Sequence, residues 1–257
     1  MANSSSKSAS KFSYNYPLIY YYRRTSKNDD LQIKYSIRSA CKNLNASKVI
    51  ILGTKPEWFV ETENSIHIPT VSGVTSRMWT IGWVPFQHFS SALEQLEELG
   101  IDNFLLMNDD FFIMHPVYNW EDLERSGKSY MEKTYHCRPY HIKTIKTFKI
   151  VDTRCYFNLH APMRMRIPYV KILCKFWSLL NDKDLDFRTF YGNLFIHDYP
   201  QRKVVDDHKI LDDQLDPSIT FISTSANGFQ ENKKVYQAIL NTFTEQSFCE
   251  KPIISKL

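Results

Sequence analysis

The chain is poor in residues that loosen a polypeptide: its 257 residues hold only seven glycines, against fifteen tyrosines and seventeen phenylalanines. No internal repeat or long linker interrupts it, so it reads as a compact, aromatic-rich globule and not as a string of modules. No stretch reaches the roughly 18 apolar residues that a membrane span requires. The N-terminus, MANSSSKSASKF, lacks the apolar core of a signal peptide. Residues 1–15 read as a disordered tail ahead of a single domain over 16–257. Cysteine is sparse: Cys41, Cys137, Cys155, Cys174 and Cys249 are widely spaced, odd in number and free of any CxxC pair. This argues against a disulfide framework and against a zinc site, and fits a reducing cytoplasm. No charge sign dominates either. A formal net charge of +4 permits a polyanionic partner without demanding one.

What is present is an alternation of apolar runs and helical periodicity. PLIYYY at 17–22 reads as a first strand. Asn28, Asp29 and Asp30 are N-cap candidates for a helix over about 31–44, where Ile33, Ile37, Ala40, Cys41 and Leu44 recur at helical spacing. KVIIL at 48–52 is the next strand, ended by Gly53, and 66–68 is a short one before Pro69. A second helix over about 87–99 places Phe89, Leu93, Leu96 and Leu99 on one face, with Gly100 as its stop. A strand over 104–107 follows. This order predicts an α/β fold: a mixed, mostly parallel sheet flanked by crossover helices. Ligands of such sheets bind at the carboxyl ends of strands.

That is where the most informative segment falls. In FLLMNDDFFIMHP, residues 104–116, an apolar run meets Asn108-Asp109-Asp110 and resumes at Phe111. Two adjacent acids closed in by apolar residues need a partner, because a buried unpaired carboxylate is costly. Mg²⁺ or Mn²⁺ is a natural one, as either takes hard oxygen ligands and keeps positions open for substrate phosphates. The segment therefore suggests a metal site that holds a nucleotide diphosphate. The alternative is a solvated turn with Asp at a cap.

The second half is less regular. Residues 128–150 carry many Lys, Arg, His and Tyr side chains and read as a β-excursion or a loop. Helices are expected over 168–181, 187–197 and 232–243, and a strand over 220–223. Polar groups gather at the element ends: Arg38 opposite the apolar face of the first helix, His160 in NLHAPMRMR, Arg188 in DFRTFYGN, the knot Asp207-His208-Lys209, and Ser223-Thr224-Ser225 after the late strand. Arg188 sits near a helix N-terminus, where the dipole disfavours a cation, so an anionic neighbour is expected.

Taken in order, DLQIKYSIRS, FLLMNDDFFI, LHAPMRMR and DFRTFYGNL resemble the motif regions of the Stealth-type sugar-phosphate transferases. They are also similar to smaller bacterial and bacteriophage glycosyltransferases, which share NDDFF, H-x-P-M, R-x-x-Y-G-N and F-[IL]-S-T-S and match better in length. The resemblance covers about residues 17–230. It implies a GT-A-like nucleotide-sugar fold with a metal-dependent donor site. Asp109 and Asp110 would hold Mg²⁺ or Mn²⁺ on the diphosphate of a nucleotide-sugar donor, a UDP-sugar being the first choice, with Asn108 beside them. Tyr22, Arg23 and Arg38 would lie by the nucleotide. Arg188 would clamp a phosphate, and Asp207 and Lys209 would complete the donor site. His160, or a carboxylate such as Asp207, would serve as general base.

Two departures stand out. Stealth proteins open on an acidic "DxVYTWVDG" strand, where this chain has LIYYYRR. The late motif reads STSANGF, with Ala226 where related sequences usually carry Asp. Alanine neither binds metal nor takes a proton. The chain either does without that carboxylate or is an inactive nucleotide-sugar-binding module. The acceptor stays open between a cell-surface glycan and hydroxymethylated pyrimidine in DNA. Lysines, arginine and aromatics interleaved over 128–149 suit the second. Sugar-1-phosphate transfer is the alternative reaction.

Overall fold

Strand β1 (Leu18–Tyr22) is buried along almost its whole length because it lies in the middle of the main sheet. The computed structural model describes residues 16–24, 27–70, 83–118, 128–129, 138–151, 155–157, 161–180, 185–196, 207–210, 214–224, 229–231 and 233–252. After β1 come α1 (Lys27–Leu44), β2 (Val49–Gly53), β3 (Ser65–Ile68), α2 (Trp83–Glu98) and β4 (Asn103–Met107). The short strands β5 (Phe111–Ile113) and β6 (Lys128–Ser129) follow, then α3 (Arg138–Val151), β7 (Cys155–Tyr156) and β8 (Met163–Arg166). The chain continues through α4 (Ile167–Leu180), α5 (Phe187–Phe195), β9 (Asp207–Ile210), β10 (Phe221–Thr224) and α6 (Lys234–Thr242).

The main sheet has the order β3-β2-β1-β4-β8. Its first four strands run parallel and β8 runs antiparallel to β4. The protein is thus a mixed α/β fold with a mostly parallel sheet flanked by helices. Strands covered on both faces read as nearly unbroken apolar runs, which explains LIYYY, VIILG and NFLLM. Successive side chains alternate between the faces. Leu18, Tyr20, Val49, Ile51, Leu105 and Met107 pack under α1. Ile19, Ile50, Leu52, Phe104 and Leu106 pack on the other face against α2, α4 and α5, where Phe89, Trp177 and Phe187 form the largest buried group.

A second sheet, β5-β10-β9, packs on α6 through Phe112, Ile222, Phe229 and Val235. The two apolar runs around the acidic pair therefore belong to different sheets, and the pair marks the crossing. Gly53 ends β2 at φ +113°, where a Cβ would lie 2.2 Å from the Tyr22 carbonyl oxygen. Only glycine fits there.

The first two helices begin earlier than their apolar spacing predicts. α1 starts at Lys27, so Asp30 lies inside its first turn and is not its cap. α2 starts at Trp83 and carries Pro85 in its first turn, where a missing N–H is harmless. Residues 138–151 form α3, which corrects the expected β-excursion or loop over that part. The expected tail over 1–15 lies outside the described residues. Among the described residues no helix is long and apolar enough to cross a membrane.

One buried ion pair fastens the C-terminal segment to α1. Arg38 donates from Nε and Nη2 to the two carboxylate oxygens of Glu250, each at 2.7 Å, and from Nη1 to the Phe243 carbonyl at 3.0 Å. Both side chains are nearly inaccessible. This corrects the expected place of Arg38 beside a nucleotide: its guanidinium is buried and serves the fold. Burial pushes the Glu250 carboxyl up, but Arg38, the Ser247 amide and Lys34 together hold it below the usual carboxylate range. A carboxyl lowered on folding contributes its stability at neutral pH and loses it as pH falls through the folded value. Glu250→Ala strands a buried guanidinium and should cost about 3–5 kcal/mol in urea denaturation at pH 7. A loss under about 1 kcal/mol would contradict the assignment.

Candidate functional site

The chain turns around between β1 and β4. β1 continues outward to β2 and β3 on one side, and β4 begins the other side. At such a switch point the loops leave in opposite directions and open a crevice at the carboxyl ends of the strands. Those ends here are Tyr21-Tyr22-Arg23 and Asn108-Asp109-Asp110. The Phe111 amide donates to the Asn108 carbonyl at 3.2 Å and closes a turn with both aspartates at its centre.

The face of α1 opposite Arg38 builds this turn. β5 pairs with β10 along one edge only, which leaves its other edge in need of partners. Ser36, Ser39 and Asn43, one helical turn apart, supply them. Ser36 Oγ donates to the carbonyls of Phe111 and, at 3.4 Å, Asn108. Ser39 Oγ accepts from the Ile113 amide at 3.1 Å, and Asn43 Nδ2 donates to the Ile113 carbonyl. The helix thus replaces a neighbouring strand, which gives the YSIRS segment a physical reason. From the other side, the Thr224 amide donates to the Asp110 carbonyl at 3.2 Å, and Gln32 Nε2 donates to Thr224 Oγ1 at 2.7 Å.

Around the turn the charges are unequal. Asp186 caps α5 by accepting from the Thr189 amide at 3.1 Å, which sets Arg188 in the first turn. Arg188 is buried. It donates to the carbonyls of Ala161 at 2.7 Å and Leu106 at 3.0 Å, reaches Asn108 Oδ1 at 3.4 Å, and lies 4.9 Å over the Phe111 ring. Both Nη atoms hold the protein's own oxygens, so Arg188 braces the turn while its charge acts on Asp110. The anionic neighbour expected from its helix position is Asp110. Burial pushes the Asp110 carboxyl up to about 6, against the opposing pull of Lys209, of its own backbone amide, of Arg188 and of a hydrogen bond from Asn108. Lys209 on β9, Ser223 on β10 and Phe111 on β5 are register partners, so their side chains share a face. Ser223 Oγ is buried there without a hydrogen-bond partner among the described residues.

Tyrosines 20, 21 and 22 close β1 and reach three different places. Tyr20 shares a hydrogen bond with Ser36 under α1. Tyr22 also points under α1, where its hydroxyl donates to Asp30 Oδ1 at 2.6 Å. This corrects the expected role of Tyr22 beside a nucleotide. Tyr21, on the opposite face, sends its hydroxyl to Asn108 Oδ1 at 2.8 Å, and its ring stacks on His88 at 6.3 Å. A one-residue offset along a strand exchanges faces, so it is Tyr21 that meets the acidic turn. Arg23 follows, exposed at the strand end.

The structure thus gathers Asn108, Asp109, Asp110, Arg188 and Lys209, and it separates Arg38 and Tyr22 from them. Asp207 is placed on β9 next to β10, but its side chain lies outside the described residues, as do His160 and Ala226. Of the basic and aromatic residues of the 128–149 segment, Lys146, Phe148 and Lys149 have described side chains, and Phe148 packs against the core. Sequence reasoning missed Tyr21, for which strand parity was the signal; Ser223, singled out at the end of the late strand, lies on the site's face.

Among the described residues no three His, Cys, Asp or Glu side chains cluster as a metal cage. Mg²⁺ and Mn²⁺ do not need one, since one or two carboxylates plus substrate oxygens and water suffice. Asp109 and Asp110 offer such oxygens at a crevice. Burial already disfavours the charge on Asp110, a penalty that a bound cation relieves. The residues present therefore fit a hard divalent ion.

No family model and no curated protein matches the sequence. Among solved structures, a glycosyltransferase involved in the glycosylation of the major capsid of PBCV-1 aligns over 82% of this chain and 95% of its own, with a TM-score of 0.42 and 10% identity. At that distance the chemistry must be read from this chain's own residues.

Two outcomes follow from the geometry. Arg188→Leu leaves two buried carbonyls unpaired and should cost about 2–5 kcal/mol in urea denaturation; unchanged stability would show that Arg188 is held for a ligand alone. His88 is depressed to about 4 by burial and then by the Arg23 charge. A histidine lowered on folding contributes stability above its unfolded value, near 6.5, that disappears as pH falls toward 4. Over that window about 3 kcal/mol should be lost, at about 1.36 kcal/mol per pH unit. An NMR midpoint for His88 near 6.5 would contradict it.

Proposed function

We propose that this chain is a GT-A-like, metal-dependent glycosyltransferase that moves a sugar from a nucleotide-sugar donor to an acceptor hydroxyl. The observation that carries the reading is the acidic pair at the carboxyl end of β4, where burial pushes the Asp110 carboxyl up to about 6 and the charges of Lys209 and Arg188 act on it. A leaving diphosphate gains negative charge as the glycosidic bond breaks, so the donor site needs fixed positive charge close to hard oxygen ligands.

Asp109 and Asp110 would hold Mg²⁺ or Mn²⁺, which when bound neutralises diphosphate oxygens and stabilises the leaving group. Lys209, half-buried on β9, can approach a phosphate directly. Arg188 adds a fixed positive field from below and keeps the turn in shape. Arg23, exposed at the end of β1, would serve the nucleotide or its phosphates. The acceptor hydroxyl must lose a proton as it attacks. His160, with Asp207 as the other candidate, is proposed for that step on the strength of the HAPM resemblance.

The test is a nucleotide-release assay with UDP- and GDP-sugars and Mn²⁺, run on the natural chain and on Ala226→Asp. One arm contains hydroxymethylcytosine DNA and another a soluble glycan. Nucleoside diphosphate release, reduced about a hundredfold or more by Asp110→Asn, is the expected result. Monophosphate release would instead establish sugar-1-phosphate transfer. Nucleotide binding without turnover, even in Ala226→Asp, would establish a binding module.

A further inference from the structure

We infer that Tyr21 is a positioning residue for the acidic turn, fixing the orientation of the Asn108 amide and through it the Asp110 carboxylate. This inference rests on the metal-site reading of Asp109 and Asp110 and deepens it.

A planar amide can be turned either way round, and its partners decide which. Here they leave no choice. The Arg188 guanidinium is donor-only, and its Nη2 lies 3.4 Å from Asn108 Oδ1. The Tyr21 hydroxyl meets the same oxygen at 2.8 Å. Burial pushes the Tyr21 hydroxyl well above the usual phenol range, with only partial opposition from Arg188, so it remains protonated and donates. With Oδ1 held by two donors, the Asn108 NH₂ group is left on the side of the acidic turn, where it helps to hold the Asp110 carboxyl down against burial. Tyr21 and Arg188 together thus set which way round the Asn108 amide lies beside Asp110.

The Tyr21 contact is the shorter of the two on Oδ1, and its ring is held in turn. It stacks on the neutral imidazole of His88, whose Nδ1 is hydrogen-bonded to Thr70 Oγ1. Gly53 leaves the room this needs, because a Cβ there would come within 2.8 Å of His88 Cε1. Without the Tyr21 hydroxyl, Asn108 keeps on that oxygen, among the described residues, the longer Arg188 contact. The amide then gains freedom, and Asp110 is less often presented in one orientation. Groups that orient a metal-binding carboxylate typically change metal affinity by about 10–100-fold.

Mn²⁺ titrations followed by electron paramagnetic resonance test the inference, on protein alone and with excess UDP or GDP. Tyr21→Phe, which removes one oxygen and keeps the ring, should weaken Mn²⁺ binding about tenfold with little change in thermal midpoint. Tyr22→Phe loses a hydroxyl bonded to Asp30 on the other face and should leave Mn²⁺ affinity unchanged. Wild-type affinity in Tyr21→Phe, alongside lost binding in Asp110→Asn, would overturn the positioning role and leave the metal site standing. Equal weakening in Tyr21→Phe and Tyr22→Phe would reduce it to a general effect of strand stability. Absence of Mn²⁺ binding by the wild type, with or without nucleotide, would overturn both.

Discussion

A carboxyl group in a place that resists its charge is the constraint on which the site depends. Asp110 sits at the end of a buried strand, where removal from water favours the neutral acid. The fold brings two cations toward it from unrelated parts of the chain, Arg188 from the first turn of α5 and Lys209 from β9. Arg188 is held by backbone carbonyls, which keeps its charge near Asp110 without consuming the carboxylate. In the proposed reading a bound divalent cation would relieve that penalty.

The geometry that creates this situation comes from one helix working on opposite sides. Ile33, Ile37, Ala40 and Leu44 of α1 cover the main sheet. Ser36, Ser39 and Asn43 satisfy the free edge of β5 and so bridge the two sheets where the acidic turn crosses between them. Arg38 secures the C-terminal segment through Glu250. A slip of one residue along α1 would disturb the apolar cover, the β5 edge and the C-terminal clamp at once. The polar positions of α1 thus carry as much structural information as the apolar ones.

This distribution explains what the sequence revealed and what it withheld. The succession β1-α1-β2-β3-α2-β4 was legible because buried parallel strands and amphipathic helices leave strong periodic signals. The acidic turn was legible because two charges between apolar runs conflict with burial. Three kinds of feature were hidden. Strand parity is ambiguous in LIYYY, where neighbouring tyrosines look alike, so Tyr22 stood in for Tyr21. The partner of Arg38 lies 212 positions away at Glu250, and no local pattern announces such a pair. The membership of β5 in a second sheet depends on pairing with β10, which a run of three apolar residues cannot encode. The late starts assigned to α1 and α2 share one cause: first turns are polar or carry proline, and apolar periodicity begins only after them.

The most direct test of the central claim is where a paramagnetic divalent ion acts on the protein. Mn²⁺ added with a nucleoside diphosphate to isotope-labelled protein should broaden the NMR signals of Tyr21, Asn108, Asp110 and Lys209 first. Signals from α6 and from the Arg38–Glu250 pair should persist at the same ion concentration. Broadening centred elsewhere, or spread evenly over exposed carboxylates, would contradict a metal-dependent donor site at the meeting of β1 and β4.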